Sequence, residues 1–183
     1  MSTAEGIADL VPAARLFGRL LVRELDADDL SSLRQEEVAA ALLDLGVTPP
    51  DPAAEPDLAA EYCALFLHPE GALPPVQSLW TEGRYDGDAA VRVRSIAAAA
   101  GLSPSPGGAP PDHLGCILVL WAELVDARED LATLLARDHL AWAATALAPA
   151  VRRGGFYGEV ARAVVELTQV LAEEAAGTDG RPA

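Results

Sequence analysis

The stretch from Leu114 to Val125 constrains this chain most. Leu114, Ile117, Leu118, Trp121, Leu124 and Val125 fall on one helical stripe, and Cys116 and Leu120 widen it. One neighbour cannot cover so broad an apolar face, so the pattern predicts a central helix over 112–126 packed among others. The same period recurs in 4–25 (Ile7, Leu10, Val11, Ala14, Phe17, Leu21, Val22, Leu25) and in about 33–45 (Val38, Leu42, Leu45), where Gly46 is a natural stop. A third helix starts near Pro56-Asp57 and carries Leu58, Tyr62, Leu65 and Phe66. Others are expected over about 87–100 (Ala90, Val93, Ile96), 128–147 (Leu131, Leu134, Leu135, His139, Trp142, Leu147) and 157–175 (Val160, Val164, Leu167, Leu171). No useful run alternates as a strand does. The expected fold is all-α, one domain over 1–183 with about seven helices.

Between these segments, 48–56 and 102–111 read as flexible linkers rich in Pro and Gly, and 177–183 as a disordered tail. The net charge is −15, and all 13 basic residues are Arg. Such a chain repels phosphate backbones and anionic membranes, and favours a cationic peptide. Cys63 and Cys116 lie far apart inside apolar helical stretches. That spacing speaks against a disulfide framework or a Cys-based zinc site and for buried free thiols in a reducing compartment. The N-terminus lacks the cationic region of a secretory signal, and the apolar run Leu114–Ala122 is too short to span a membrane. The expectation is a cytoplasmic protein without membrane insertion.

Motifs for familiar chemistry are sparse. There is no GxxxxGK[ST], no GxGxxG after a strand and no lysine to clamp a phosphate. His68, His113 and His139 share no HxxxH or HExxH spacing, so one surface and two partly buried histidines are expected rather than ligands. Asp112-His113 could support acid–base work, but neighbours on a helix point about 100° apart. Asp112, after Pro110-Pro111, reads as the N-cap of the central helix, and the helix dipole would keep His113 neutral. Arg152-Arg153-Gly154-Gly155 reads as a helix end followed by a turn. The acids Asp26, Asp28 and Asp29 read as a solvated face.

Two segments carry a resemblance. Glu61-Tyr62-Cys63-Ala64-Leu65-Phe66-Leu67-His68-Pro69 is followed by Pro74-Pro75-Val76-Gln77-Ser78-Leu79-Trp80, and Pro111-Asp112-His113-Leu114-Gly115-Cys116 runs on to Trp121. In order and spacing they resemble the TorD/DmsD/NarJ family of maturation chaperones for molybdenum-cofactor oxidoreductases. Asp138-His139-Leu140 and Trp142 resemble a later His-Leu…Trp segment of that family. The resemblance covers about 58–142. It implies an all-helical chaperone, not an enzyme and without a cofactor of its own. That chaperone binds the N-terminal leader, often twin-arginine, of a client catalytic subunit and holds it for cofactor insertion and assembly before export. By motif position, Tyr62, Leu65, Phe66, Pro75, Ser78, Trp80, Asp112 and His113 would line or shape the peptide groove. Val76 stands where one common form of the loop has an aromatic, which alters one apolar subsite.

The residues taken alone also admit a helical assembly subunit, monomeric or dimeric, that binds a partner without any leader. A nucleotide hydrolase using Asp112 and His113 is the third reading. The three differ in whether a leader is bound, whether anything is turned over, and whether Trp80 matters.

Overall fold

The structure is a computed structural model that describes residues 7–67, 74–104 and 108–178. Residues 1–6, where the expected 4–25 helix begins, 68–73 (with His68), 105–107 and 179–183 lie outside the described residues. Among the described residues there are ten α-helices and no strand, only an isolated antiparallel bridge between Val76 and His113. The class is all-α, as the periodicity requires.

The first helices are α1 (Val11–Val22), α2 (Ala27–Leu33), α3 (Glu36–Asp44) and α4 (Glu55–Tyr62), the last continued by a π-turn over Cys63–Leu67. There follow α5 (Gln77–Glu82), α6 (Asp88–Ala99), α7 (Leu114–Ala127), α8 (Glu129–His139), α9 (Ala143–Arg153) and α10 (Gly155–Thr178). The count exceeds seven for three local reasons. First, Asp26 and Asp29 are not merely a solvated face. The Asp26 side chain accepts from the Asp29 N–H and the Asp29 side chain accepts from the Asp26 N–H, a reciprocal cap that starts α2. Second, α5 is short and follows Pro74-Pro75, outside every helix that the periodicity predicts. Third, the expected helix over 128–147 breaks after His139, whose carbonyl accepts from the Trp142 indole N–H at 2.8 Å. Neither Gly nor Pro marks that break.

Helix α7 is the centre, with Leu114, Cys116, Ile117, Leu118 and Leu124 at no measurable exposure. Helix α1 lies against it so closely that glycines are required at the crossing. A Cβ on Gly18 would sit 2.8 Å from the Gly115 carbonyl oxygen, and one on Gly115 would collide with the Gly18 carbonyl oxygen. Carboxylates hold two further helix starts. Glu82 accepts from the Asp88 and Ala89 N–H groups at 2.9 and 3.1 Å to begin α6. Those backbone donors hold its carboxyl below the usual range. Glu61 accepts from the Tyr157 N–H at 3.0 Å in the first turn of α10. Arg152 and Arg153 do end a helix, α9, before Gly154 at φ +75°. Cys116 is buried as expected, but Cys63 is exposed, because it opens the π-turn on the solvent side.

Candidate functional site

The prolines at 74–75 stop one segment of chain, and those at 110–111 stop another. The two ends then pair. Leu114 N–H donates to the Pro75 carbonyl at 2.8 Å, and Gln77 N–H donates to the Asp112 carbonyl at 2.9 Å. The Asp112 side chain has no measurable exposure, and its Oδ2 accepts from the Ser78 N–H at 2.8 Å. Asp112 therefore caps α5, not the helix it precedes. The N-cap of α7 is His113, whose Nδ1 accepts from the Gly115 N–H at 3.1 Å. The bridge between 76 and 113 explains the exchange, since it turns Asp112 toward α5 and leaves His113 facing its own first turn. Pro75, Val76, Gln77 and Ser78 are all buried, so Val76 fills the bridge and not a surface subsite.

Accepting at Nδ1 requires a neutral His113 with its proton on Nε2. Burial pushes the His113 pKa down to about 4, against an upward pull from Asp112. Desolvation thus keeps it neutral. His139 is buried as well, its Nδ1 2.7 Å from Gln77 Oε1, and burial and Arg92 both lower its pKa. Ser78 Oγ, Asp112 Oδ1 and His139 Nε2 are buried without a hydrogen-bond partner. Sequence patterns signalled Asp112, His113 and Ser78, but nothing marked Gln77 as the residue that ties this junction to the end of α8. His113 and His139 are more deeply buried than expected.

The junction's outward product is Trp80. Its indole N–H donates to the Pro74 carbonyl at 2.9 Å, which fixes the ring half-buried at the protein surface. There it lines an open groove of about 650 Å³ with Ala144, Thr145, Ala148, Pro149 and Arg152 of α9. Pro149 lies inside that helix and has no N–H, so the Thr145 carbonyl lacks its ordinary helical donor. The groove thus combines an aromatic face, small side chains and a helix carbonyl released from the backbone ladder.

Tyr62, Leu65 and Phe66 lie elsewhere. Each is 3% exposed. The Tyr62 ring packs edge-on to Phe66 and Tyr157, with centroids 5.1 and 5.3 Å away. Its hydroxyl donates to the Leu21 carbonyl at 3.0 Å, and burial raises its pKa to about 12. The structure therefore brings Pro75, Ser78, Trp80, Asp112 and His113 together and places the other three in the core between α1, α4 and α10. Replacing Asp112 with alanine will strand the buried Ser78 N–H and lower stability by about 2 kcal/mol. Asp112→Asn, whose amide oxygen can still accept, will cost less; urea unfolding of the two variants checks this.

A family model described as the nitrate reductase delta subunit matches residues 27–151, a span that includes both motif segments. This chain belongs to the nitrate reductase delta subunit family. The match agrees with the TorD/DmsD/NarJ-type resemblance of the motifs. The chain is also similar to Chaperone protein YcdY of Escherichia coli (strain K12), 33% identical over 90 residues. That alignment covers 46% of each protein, so the chain matches about half the length of that relative. A crystal structure from Archaeoglobus fulgidus, assigned as a redox enzyme maturation protein, has the same fold. Its TM-score is 0.62 at 24% identity, covering 87% of this chain and 94% of that one. None of the three descriptions is of a nucleotide hydrolase. Within this delta subunit family member, the buried Asp112-His113 pair acts as two helix caps, and no described helix is long and apolar enough to cross a membrane.

Proposed function

We propose that the protein is a maturation chaperone that binds the N-terminal leader of a molybdenum-cofactor oxidoreductase subunit. It holds that subunit in the cytoplasm until the cofactor is inserted. The observation that carries this reading is the Trp80 groove. Its aromatic wall, Trp80, belongs to the first motif segment that resembles the family, α9 supplies the rest, and the groove's chemistry suits an apolar segment. Tyr62, Leu65 and Phe66 serve it by shaping the core behind α4, while Pro75, Ser78, Asp112 and His113 position Trp80. The net charge of −15 adds a long-range attraction for a cationic leader that salt weakens.

Calorimetric titration with leader peptides of candidate clients tests the proposal. Trp80→Ala is expected to weaken binding by about tenfold or more, as truncating a central aromatic contact does. Its fold should remain, because the ring is only half-buried. Binding undisturbed by Trp80→Ala would favour the assembly-subunit reading, which the family's description as a subunit makes the natural second choice.

A further inference from the structure

The Trp80 groove has two walls on separate helices, and neither wall by itself sets the distance between them. Trp80 stands on α5, and its indole N–H bonds back to Pro74 of the same segment, which orients the ring on α5 alone. The pairing of Pro75 and Gln77 with 112–114 ties α5 to the start of α7. The facing wall is α9, which leaves the corner 140–142 at the end of α8. The spacing therefore depends on what holds α5 against that corner.

Gln77 is placed to do so. It opens α5, three residues before Trp80, and is only 6% exposed. Burying a polar side chain is costly unless its amide is bonded. Here both ends of the amide reach the last turn of α8. Nε2 donates to the Asp138 carbonyl at 3.4 Å, and Oε1 lies 2.7 Å from His139 Nδ1. A carbonyl oxygen only accepts, so the Asp138 carbonyl fixes which way the amide points. Oε1 then faces His139, and Nδ1 must carry the proton that Oε1 accepts. The same residue also holds the start of α9, since its carbonyl accepts from the Trp142 indole N–H at 2.8 Å. His139 thus receives α5 through its ring and α9 through its carbonyl. It is 1% exposed, so little water reaches these bonds.

We infer that Gln77 is a positioning residue of the Trp80 groove, setting through His139 how far the Trp80 ring stands from α9. Being buried, it acts through Trp80 and not by touching a ligand. Its effect on leader affinity rests on the leader-binding reading above; its effect on the place of the ring does not.

The test is a double-mutant cycle read by leader titration, with a fluorine spectrum beside it. Gln77→Met keeps the length of the side chain and removes both hydrogen bonds. It is expected to weaken leader binding about tenfold in the wild-type background and to add no loss to Trp80→Ala. Gln77→Glu keeps an oxygen for His139 Nδ1 and should hold affinity within about threefold of wild type. In protein labelled with 5-fluorotryptophan, Gln77→Met should shift the Trp80 resonance and leave that of Trp121, buried on α7, in place. Should Gln77→Met fail to fold, Gln77→Asn, one methylene too short to make both bonds, takes its place in each comparison. Equal losses with and without Trp80, or an unmoved Trp80 resonance, would mean that Gln77 serves stability alone. The inference then falls while leader binding stands. If wild type binds no leader, the leader-binding reading falls and the fluorine spectrum decides: a shifted Trp80 resonance upholds the inference, and an unmoved one overturns it.

Discussion

Replacing Gly115 with alanine is expected to destabilise the protein by about 3 kcal/mol, a large share of the 5–15 kcal/mol typical of a domain. The new methyl group would meet the Gly18 carbonyl oxygen, which is backbone, and Val22 Cγ2 at 2.7 Å. A side chain could rotate away, but the carbonyl can retreat only if α1 separates from α7. That separation would loosen the packing of α1 and α7, whose Phe17, Leu21, Ile117 and Leu118 have no measurable exposure. Alanine's better helix propensity returns only about 1 kcal/mol. Gly18→Ala should behave alike, since its Cβ would lie 2.8 Å from the Gly115 carbonyl oxygen. Gly177→Ala is the control, because nothing lies within 4 Å of a Cβ there. Denaturant midpoints for the three variants check the expectation; a Gly115→Ala midpoint equal to that of Gly177→Ala would contradict the close crossing.

Acid should unfold the protein partly through His113. Its pKa is about 4 in the folded protein against 6.5 for a free imidazole, so folding favours the neutral ring. Above pH 6.5 the ring is neutral in both states and contributes no pH dependence. Below 6.5 the unfolded chain takes up a proton that the folded one refuses. Stability therefore falls as pH drops, until the folded protein also protonates near pH 4. The whole span is worth about 3 kcal/mol, of which about 2 kcal/mol is lost between pH 6.5 and 5. Protonation would also forfeit the Nδ1 acceptor that holds the Gly115 N–H. His139, lowered in the same direction, adds to the slope. Asparagine is a good N-cap and does not titrate, so His113→Asn should keep the start of α7 while flattening the slope between pH 6.5 and 5. Parallel stability curves for wild type and variant would show that His113 does not carry this dependence.

The central helix was legible because its apolar stripe is too wide to be anything else, and the all-α class followed from it. What escaped the sequence is mostly information held between segments. Asp112 looked like the cap of its own helix because capping is read from the next three residues; its real partner is Ser78, 34 residues away. The π-turn that exposes Cys63 keeps a helical apolar pattern, so nothing in the spacing distinguishes it from an α-helix. The break after His139 depends on the Trp142 indole reaching a carbonyl, which no turn residue announces. Gly18 and Gly115 read as ordinary helix residues until α1 and α7 are seen to cross. The candidate site shows the same division. Ser78, Trp80, Asp112 and His113 came from local motifs, whereas Thr145, Pro149 and Arg152 joined the groove only through the packing of α9 beside α5.

The most direct test of leader binding places a photo-activatable cross-linker in the apolar run of a client leader and maps the adduct by mass spectrometry. The account predicts attachment at Trp80 or within Ala144–Arg152 of α9, lost when unlabelled leader is added in excess. Cross-links concentrated on a different face, such as α2 and α3, or labelling that excess leader does not compete, would contradict it.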